Sequence, residues 1–259
     1  MTVKEENITI EAKNILNDKP VIEFKNVYKS FGNNAVLKGI NLSVKKGENL
    51  VILGRSGSGK SVAIKCLVGL TKIDQGEINV LGTNITKLND HELNKVRLNI
   101  GFLFQNGALY DSMTVKENLA FTLKHHSRNL TQEEVEMAIK EVLEDVGLLE
   151  AINKMPAELS GGMKKRIGLA RALIIKPEII LYDEPTSGLD TITSREIDEL
   201  ILEIQKTRKT TSIIITHDLN CARITGNRIM IIRDGIIKAE GSYDDLKNNN
   251  DHWVRSFFI

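Results

Sequence analysis

The feature that most constrains this chain is a short apolar run that ends in a glycine-rich loop and leads directly into a segment with helical spacing. The run "NLVIL" (Asn49–Leu53) fits a buried strand, and "KSVAIKCLVGL" repeats its apolar residues at the period of a helix. Between them lies "GRSGSGKS" at residues 54–61, which matches the pattern G-x-x-x-x-G-K-[ST]. The strand before the loop and the helix after it are the context in which this pattern is meaningful. The chain is therefore expected to fold around a strand–loop–helix unit.

The rest of the chain repeats this alternation of strands and helices. Short strands are predicted at "EINVLG", "NIGFLF", "EIILYD" and "TSIIIT", and helices at residues 115–124, 131–146, 163–174 and 194–206. The stretch "RIMIIRDGIIKAEG" predicts a hairpin that turns at Asp234-Gly235. Strands that alternate with helices predict an α/β fold with a mostly parallel sheet covered on both faces.

Patterning also divides the chain along its length. Residues 1–19 are polar and weakly patterned, and β-type alternation first appears in "PVIEFKNVYKSFG". We expect an N-terminal extension over 1–19, one main domain over 20–248 with a helical subdomain at about 106–160, and a C-terminal tail over 249–259. Trp253 and Phe257 share a helical face in this tail. The tail is expected either to pack on its own domain or to reach a neighbouring subunit.

Composition excludes several other classes of protein. The 259 residues carry 35 basic and 34 acidic side chains, so an electrostatic argument for nucleic-acid binding is weak. Cys66 and Cys221 lie far apart in apolar contexts, which favours two reduced buried thiols over a disulfide or a metal site. No apolar run approaches the roughly 18 residues needed to span a bilayer. Any membrane span is therefore expected to come from a partner.

The glycine-rich loop has the chemistry of a phosphate site. Glycines let successive backbone N–H groups point at phosphate oxygens, and the helix N-terminus adds partial positive charge. Lys60 is predicted to reach the β- and γ-phosphates of a nucleotide, and Ser61 to ligate Mg²⁺. The alternative is a glycine-rich turn without a ligand. The residues predicted to contact the nucleotide here are Gly54, Arg55, Ser56, Gly57, Ser58, Gly59, Lys60, Ser61 and Val62.

Two adjacent carboxylates supply what nucleotide hydrolysis needs. In "IILYDEP", Asp183 is predicted to hold Mg²⁺, usually through its waters, and Glu184 to act as general base on the attacking water. A solvated loop is the usual explanation for an Asp-Glu pair. Here the pair ends an apolar strand and precedes Pro185, which favours the functional interpretation. A kinase would need an acceptor pocket, and none is recognisable.

Five motifs together resemble the nucleotide-binding domain of ABC-type ATPases. These are "GRSGSGKS", "LSGGM", "LYDEP", "SGLD" and "ITHD", in the order and approximate spacing of that family. The resemblance covers residues 21–248. It implies a P-loop NTPase-type sheet with an N-terminal antiparallel β part and a helical subdomain. It also implies hydrolysis of ATP with Mg²⁺, and it argues further against a P-loop kinase.

The resemblance assigns roles to four further residues. Tyr28 is similar to the aromatic that stacks on adenine, although a core-packed strand residue is equally expected. Gln105 resembles the glutamine that touches Mg²⁺ and the attacking water, against the alternative of an ordinary strand-end amide. Asp190 resembles the residue that links two active sites across a dimer, and it can also cap a helix. His217 resembles the histidine that contacts the γ-phosphate, although a lone histidine is usually structural.

The segment "LSGGM" resembles the family signature. In this family the signature contacts the γ-phosphate of ATP held by a second subunit, so the resemblance implies an ATP-dependent homodimer. Ser160 and the N–H groups of Gly161 and Gly162 suit that task, because they precede a helix and carry no bulky side chain. The local alternative is a serine N-cap followed by two glycines in a tight turn.

Met163 stands where many family members carry glutamine. "LSGGMKKR", "FLFQNGALYDSMTVKENLAF" and "HWVRSFF" resemble the ATPases of MCE-associated, Mla-type phospholipid transporters. This resemblance implies a membrane permease that docks near Gln105 and residues 107–113, an MCE-domain lipid-binding protein, and a place on the cytoplasmic face of the inner membrane. A polar-solute importer is the first alternative. A soluble ABC ATPase acting on nucleic acid or ribosomes is the second, although long coiled-coil insertions and a second ATPase domain are lacking.

Overall fold

The computed structural model describes residues 19–105, 107–126 and 130–258. Apart from Lys19, the extension predicted for residues 1–19 lies outside this part of the chain. Asn106, where the predicted subdomain begins, and Ile259, the last residue of the tail, also lie outside it.

Ten strands occur in the described residues. They are β1 (Ile22–Phe31), β2 (Asn34–Val44), β3 (Asn49–Leu53), β4 (Gln75–Val80), β5 (Thr83–Asn84), β6 (Ile100–Leu103), β7 (Ile179–Asp183), β8 (Thr211–Thr216), β9 (Arg228–Arg233) and β10 (Ile236–Gly241). The described α-helices are α1 (Lys60–Leu67), α2 (Asp90–Arg97), α3 (Val115–His126), α4 (Gln132–Asp145), α5 (Gly161–Leu173), α6 (Thr191–Arg208), α7 (Leu219–Thr225), α8 (Tyr243–Lys247) and α9 (His252–Arg255). Short 3₁₀ turns lie at Ile85–Lys87, Leu149–Ala151 and Pro156–Glu158.

The strands form two sheets. A six-stranded sheet has the order β10-β9-β3-β8-β7-β6 and is parallel except for the β9–β10 hairpin. Asp234 and Gly235 turn this hairpin with φ of 50° and 82°, which is the backbone that a tight hairpin turn requires. A four-stranded antiparallel sheet has the order β2-β1-β4-β5. The predicted α/β fold with an antiparallel N-terminal part is therefore confirmed.

Central strands of the parallel sheet are buried on both faces. Val51 and Leu53 of β3 join a core with helices α3 to α7, whereas Leu50 and Ile52 join a second core with α1 and the antiparallel sheet. Alternate residues of a strand point to opposite faces, so burial of both sets makes the run continuously apolar. This packing holds the carboxyl end of β3, and the loop that follows, in a fixed position.

Helix boundaries follow from their caps. Helices α5 and α6 begin at Gly161 and Thr191, two and three residues before the predicted starts, because Ser160 and Asp190 cap them. Helix α4 has the predicted capping box between Thr131 and Glu134. Helix α2 was not predicted, because its surface is mostly polar; the Asn89–Glu92 capping box was the available signal.

The C-terminal tail packs on its own domain. The Trp253 and Phe257 rings lie 4.8 Å apart, and the Arg233 guanidinium lies 4.6 Å from the Trp253 ring centroid. Phe258 meets Tyr243 with ring centroids 5.2 Å apart, and Val254 is buried in the core that also contains β3 residues. Of the two interpretations of the tail, the described residues show the intramolecular one.

Two further expectations concern burial and membranes. Cys66 and Cys221 are both buried and free, as predicted for reduced thiols. Within residues 19–105, 107–126 and 130–258, no helix is both long and apolar enough to cross a membrane.

Candidate active site

A cleft of about 740 Å³ opens at the carboxyl ends of the parallel strands. This is the edge at which open α/β sheets bind ligands. The structure brings together the loop after β3, Gln105 after β6, Asp183 and Glu184 at the end of β7, and His217 after β8. The residues that line the cleft are Phe31, Val36, Arg55, Ser56, Gly57, Ser58, Gly59, Lys60, Ser61, Val62, Gln105, Asp183, Glu184 and His217.

The glycine-rich loop closes around the ammonium of Lys60. Lys60 Nζ donates to the carbonyl oxygens of Gly54 at 2.7 Å and Arg55 at 3.2 Å. Gly59 caps α1 with φ of 104°, and a Cβ there would lie 2.9 Å from the Val36 carbonyl oxygen, so only glycine fits. Burial lowers the pKa of Lys60, against the opposing charges of the Glu184 and Asp183 carboxylates. The loop thus presents a buried cation beside the N-terminus of α1.

Asp183 and Ser61 are hydrogen-bonded to each other in the cleft, and Gln105 lines the same cleft. Burial raises the pKa of Asp183, and so does the Glu184 carboxylate. The charge of Lys65, a hydrogen bond from Ser61 and the charge of Lys60 act in the opposite direction. A carboxylate, a hydroxyl and an amide carbonyl are oxygen ligands of the kind that Mg²⁺ prefers. These three side chains therefore fit the predicted metal.

Glu184 and His217 make a direct pair at the mouth of the cleft. His217 Nδ1 lies 2.8 Å from Glu184 Oε2, and the two side chains are 71% and 15% exposed, respectively. Glu184 has φ of 51°, a left-handed backbone that is uncommon outside glycine, and its N–H donates to Ile215 O at 2.9 Å. The carboxylate is thus held by its backbone and by an imidazole, as a general base that activates water needs to be.

Lys165 contacts the site but was not among the residues predicted for it. Its side chain on α5 is buried and donates to the carbonyl oxygens of Gln105 and Glu184, the latter at 3.0 Å. Burial lowers the pKa of Lys165 to about 8, against the charges of the Glu184 and Asp183 carboxylates. Gly168 and Leu169, three and four residues later, are buried on the same helical face, and that spacing was the available signal.

Tyr28 is not brought into the cleft, which corrects its assignment as the adenine-stacking aromatic. Its ring covers Gly39 on the neighbouring strand β2, where a Cβ would lie 2.8 Å from the tyrosine hydroxyl. Phe31, at the end of β1, lines the cleft instead and is half-exposed. Phe31 reaches the cleft because it lies at the end of β1, whereas Tyr28, also aromatic, lies three residues earlier in the strand.

The signature residues do not line their own chain's cleft. Ser160 Oγ accepts the N–H of Met163 at 3.2 Å, so the serine is the N-cap of α5. Gly161 is exposed, whereas Gly162 packs against Thr193, whose Cγ2 would lie 2.5 Å from an added Cβ. The structure shows the serine N-cap of the local alternative, whereas the two glycines are the first residues of α5 and not a tight turn.

Asp190 also lies outside the cleft and caps a helix. Its carboxylate accepts the N–H groups of Ile192 and Thr193, both at 3.0 Å, and the hydroxyl of Thr193 at 2.7 Å. The hydrogen bonds from Thr193 lower the pKa of Asp190 most, and those from other backbone groups add to the effect.

Comparisons with known proteins agree with this geometry. A family model described as "ABC transporter" matches residues 37–187. The chain is 40% identical over 237 residues to the probable ribonucleotide transport ATP-binding protein mkl of Mycobacterium leprae, covering 91% of this chain and 68% of that protein. It is 43% identical over 221 residues to the methionine import ATP-binding protein MetN of Rhizobium johnstonii, covering 85% of this chain and 60% of that protein. The chain thus spans about two thirds of the length of these relatives.

Solved structures give the same answer. The dimeric bacterial ABC transporter cassette MJ0796 superposes with a TM-score of 0.79 at 36% identity, covering 86% of this chain and 98% of the cassette. A post-hydrolysis dimer of the same cassette, bound to ADP and Pi, gives a TM-score of 0.78. The resemblance that the five motifs indicate is confirmed, and the chain belongs to the ABC transporter family as an ABC ATPase that uses ATP with Mg²⁺.

Proposed function

We propose that this ABC ATPase works as an ATP-dependent homodimer in which the signature segment of each subunit completes the cleft of the other. The signature segment, residues 160–162, lies at the start of α5, outside the lining of its own cleft. The N–H groups of the first helical turn have no carbonyl partner within the helix, and a helix N-terminus attracts anions. This separation of signature and cleft within one chain is the observation that carries the proposal.

Within each cleft, the chain's own residues divide the work. Lys60 balances the charge of the β- and γ-phosphates, and Glu184 accepts a proton from the attacking water while His217 keeps its carboxylate oriented. Phe31 offers its half-exposed ring to the adenine. Mg²⁺ supplies positive charge at the phosphate oxygens when it is bound, and Asp183, Ser61 and Gln105 are the residues that would hold it. Asp190 is proposed to link the two sites across the dimer.

The variant Glu184→Gln tests the homodimer. It removes the base and keeps the shape of the side chain, so we expect hydrolysis to fall at least 100-fold while an ATP-bound dimer accumulates in sedimentation experiments. Glu178→Gln is the matched control, because it makes the same change at an exposed residue directly before β7. A Glu184→Gln protein that binds ATP but stays monomeric, alone and with its membrane partner, contradicts the homodimer.

We further propose that a permease subunit docks beside Gln105 and residues 107–113. The buried Asn118 side chain orders this loop, accepting from Tyr110 N at 2.7 Å and donating to the carbonyl oxygens of Tyr110, Met113 and Thr114. Tyr110 and Phe121 form an exposed aromatic pair with ring centroids 5.2 Å apart. An ordered loop beside exposed aromatic rings fits a helix-in-groove contact. The ABC ATPase, bound to this permease, would then lie on the cytoplasmic face of the inner membrane.

Phospholipid is the cargo that we propose, delivered through an MCE-domain protein. The support is the resemblance of "LSGGMKKR", the segment after β6 and the C-terminal tail to the ATPases of Mla-type systems. A polar-solute importer is the second candidate, since the relatives are named for ribonucleotide transport and methionine import.

Purification from native membranes separates the two cargo proposals. We expect the tagged full chain to bring down a permease together with an MCE-domain protein. Recovery of a permease with a periplasmic solute-binding protein supports the importer and contradicts the phospholipid proposal. Salt-sensitive nucleic-acid binding without any permease contradicts both.

A further inference from the structure

We propose that Lys165 is a positioning residue that couples the signature helix α5 to hydrolysis in the cleft of its own chain. It does so by holding the backbone of Gln105 and of Glu184. This inference rests on the proposed function, in which the start of α5 contacts ATP in the other subunit. Lys165 connects α5, which makes that contact, to the cleft of its own chain.

The ammonium of Lys165 joins the segments that follow two different strands, β6 and β7. Its acceptors are Gln105 O after β6, Glu184 O after β7 at 3.0 Å, and Ser187 Oγ in the following loop at 3.2 Å. An ammonium has three N–H donors, so each donor has one acceptor here. The Ser187 hydroxyl itself donates to Glu184 O at 3.0 Å, and the Ser187 N–H donates to the same oxygen at 3.2 Å. The backbone of Glu184 is thus fixed at its carbonyl.

Burial makes the hydrogen bonds of Lys165 costly to break. The side chain of Lys165 is only 5% exposed, so water cannot replace a lost acceptor at low cost. A side chain without N–H donors at this position would leave Gln105 O without this donor and would weaken the hold on Glu184 O. Displacement of α5 therefore has to move these backbone groups or break buried hydrogen bonds.

Two further residues on the same helical face attach α5 to the segment after β6. Gly168 lies so close to Gly107 that an added Cβ would be 2.9 Å from the Gly107 Cα, and Arg171 donates to the Ala108 carbonyl. Lys165, Gly168 and Arg171 recur at intervals of three, so they form one contact ridge. The start of α5 is exposed, and its middle contacts the segments after β6 and β7 that border the cleft. A movement of the start of the helix is therefore transmitted to these segments.

Lys165→Met in the full permease complex tests the coupling, because methionine keeps most of the length of the side chain and removes its donors. We expect kcat for ATP to fall at least tenfold while KM and the ATP dissociation constant stay within about twofold. Hydrogen exchange at residues 104–110 should rise, and the unfolding midpoint should stay close to that of the wild type. Lys164→Met is the matched control: the same change one residue earlier, at a side chain for which the described residues show no hydrogen bond. It should leave all five quantities unchanged.

Two milder variants keep the inference falsifiable if Lys165→Met does not fold. Lys165→Arg keeps buried donors and should retain most of kcat, and Ser187→Ala removes one acceptor and should lower kcat about two- to fivefold. Full kcat in Lys165→Met or in Ser187→Ala overturns the inference, and so does a loss of ATP binding that parallels the loss of kcat. If wild type and Lys164→Met hydrolyse ATP normally, such results leave the proposed function intact. Absence of hydrolysis in the wild-type complex contradicts the proposed function and this inference with it.

Discussion

The ATP cleft and the signature segment differ in how completely one chain builds them. The cleft has buried walls on strand ends, and its charged groups already have partners, such as Lys60 with Gly54 O and Glu184 with His217. The signature segment has an exposed glycine and a serine that only caps its own helix. The cleft of a single chain can bind nucleotide. The signature segment, an exposed helix start with one capping serine, can act only on a nucleotide that another chain holds against it.

This difference teaches that the two regions fail in different ways. Changes in the cleft should alter ATP binding or chemistry in a single chain. Changes in the signature segment should leave the single chain nearly normal and appear only when two chains meet. Substitutions at five positions, Ser160, Phe31, Tyr28, Asp198 and Asp190, sharpen or break this contrast.

Ser160→Arg should give the largest effect. A long cationic side chain at the start of α5 blocks the approach of the second subunit, so we expect hydrolysis to fall at least 100-fold. Binding of ATP to the isolated chain should stay within twofold, because Ser160 does not line the cleft. Equilibrium binding and steady-state hydrolysis measure the two quantities.

Ser242→Arg is the matched control for Ser160→Arg. Ser242 is an exposed serine that caps α8, so this variant also replaces a capping serine by arginine, at a helix far along the chain. It should leave hydrolysis unchanged. Equal losses of ATP binding and hydrolysis in Ser160→Arg would mean that the signature serves its own cleft, and the contrast would collapse.

Phe31→Ala and Tyr28→Ala should separate binding from packing within the antiparallel sheet. Stacking of a base on an aromatic ring contributes about 1–3 kcal/mol, so Phe31→Ala should weaken ATP binding about tenfold. Tyr28→Ala uncovers Gly39 and should lower stability while ATP binding stays within twofold. A fluorescent ATP analogue and thermal unfolding provide the measurements. The reverse pattern would restore Tyr28 as the adenine-stacking residue.

Most of the fold follows from the sequence because its signals are local. The apolar run before "GRSGSGKS" predicts a buried strand, and the same logic places "EIILYD" and "TSIIIT" beside it in the parallel sheet. Since parallel strands end at one edge, Asp183, Glu184 and His217 meet the loop there. The strand order itself depends on packing between distant segments, which a single sequence does not display.

The errors share a physical cause. Tyr28 and Phe31 are both aromatic residues of one strand, and only the position of the strand end decides which one reaches the cleft. Lys165 stands in the basic run "KKR", which is typical of an exposed helix surface, although tertiary packing buries it between strand ends. In each case the residue type was visible in the sequence, whereas its surroundings depended on tertiary packing.

Asp198→Asn probes a second buried carboxylate, outside the cleft. Burial raises the pKa of Asp198 to about 6, and the Asp218 and Glu199 carboxylates add to this, against a hydrogen bond from Cys221. The charges of Lys65 and Lys60 and a hydrogen bond from Ser61 offset the raised pKa of Asp183 in the cleft, whereas among the described residues no cation acts on the pKa of Asp198. The surroundings of Asp198 on α6 are therefore less well balanced in charge than the cleft.

The sign of the pH effect follows from the raised pKa. An exposed aspartate has a pKa of about 3.9, so the folded state holds the proton of Asp198 more tightly, and the free energy of unfolding falls as pH rises from about 4 through 6. Asp198→Asn should remove this loss and stabilise the protein at pH 8 by about 1 kcal/mol more than at pH 5. Urea unfolding at the two pH values measures the difference. A pH-independent effect would mean that Asp198 is charged in both states.

Asp190 carries the smallest expected effect and the sharpest form of the contrast, because it caps α6 and is also proposed to link two subunits. Asp190→Ala removes the cap and should lower the free energy of unfolding by about 0.5–1 kcal/mol. Asp190→Asn keeps a good cap and should leave stability within a few tenths of a kcal/mol, yet hydrolysis should still fall about two- to fivefold. Asp251, the N-cap of α9, gives the control, since Asp251→Asn should change neither quantity. If Asp190→Asn hydrolyses ATP at the wild-type rate, Asp190 serves only as the N-cap of α6. The signature segment would then be the only one of the two regions proposed to act across the dimer.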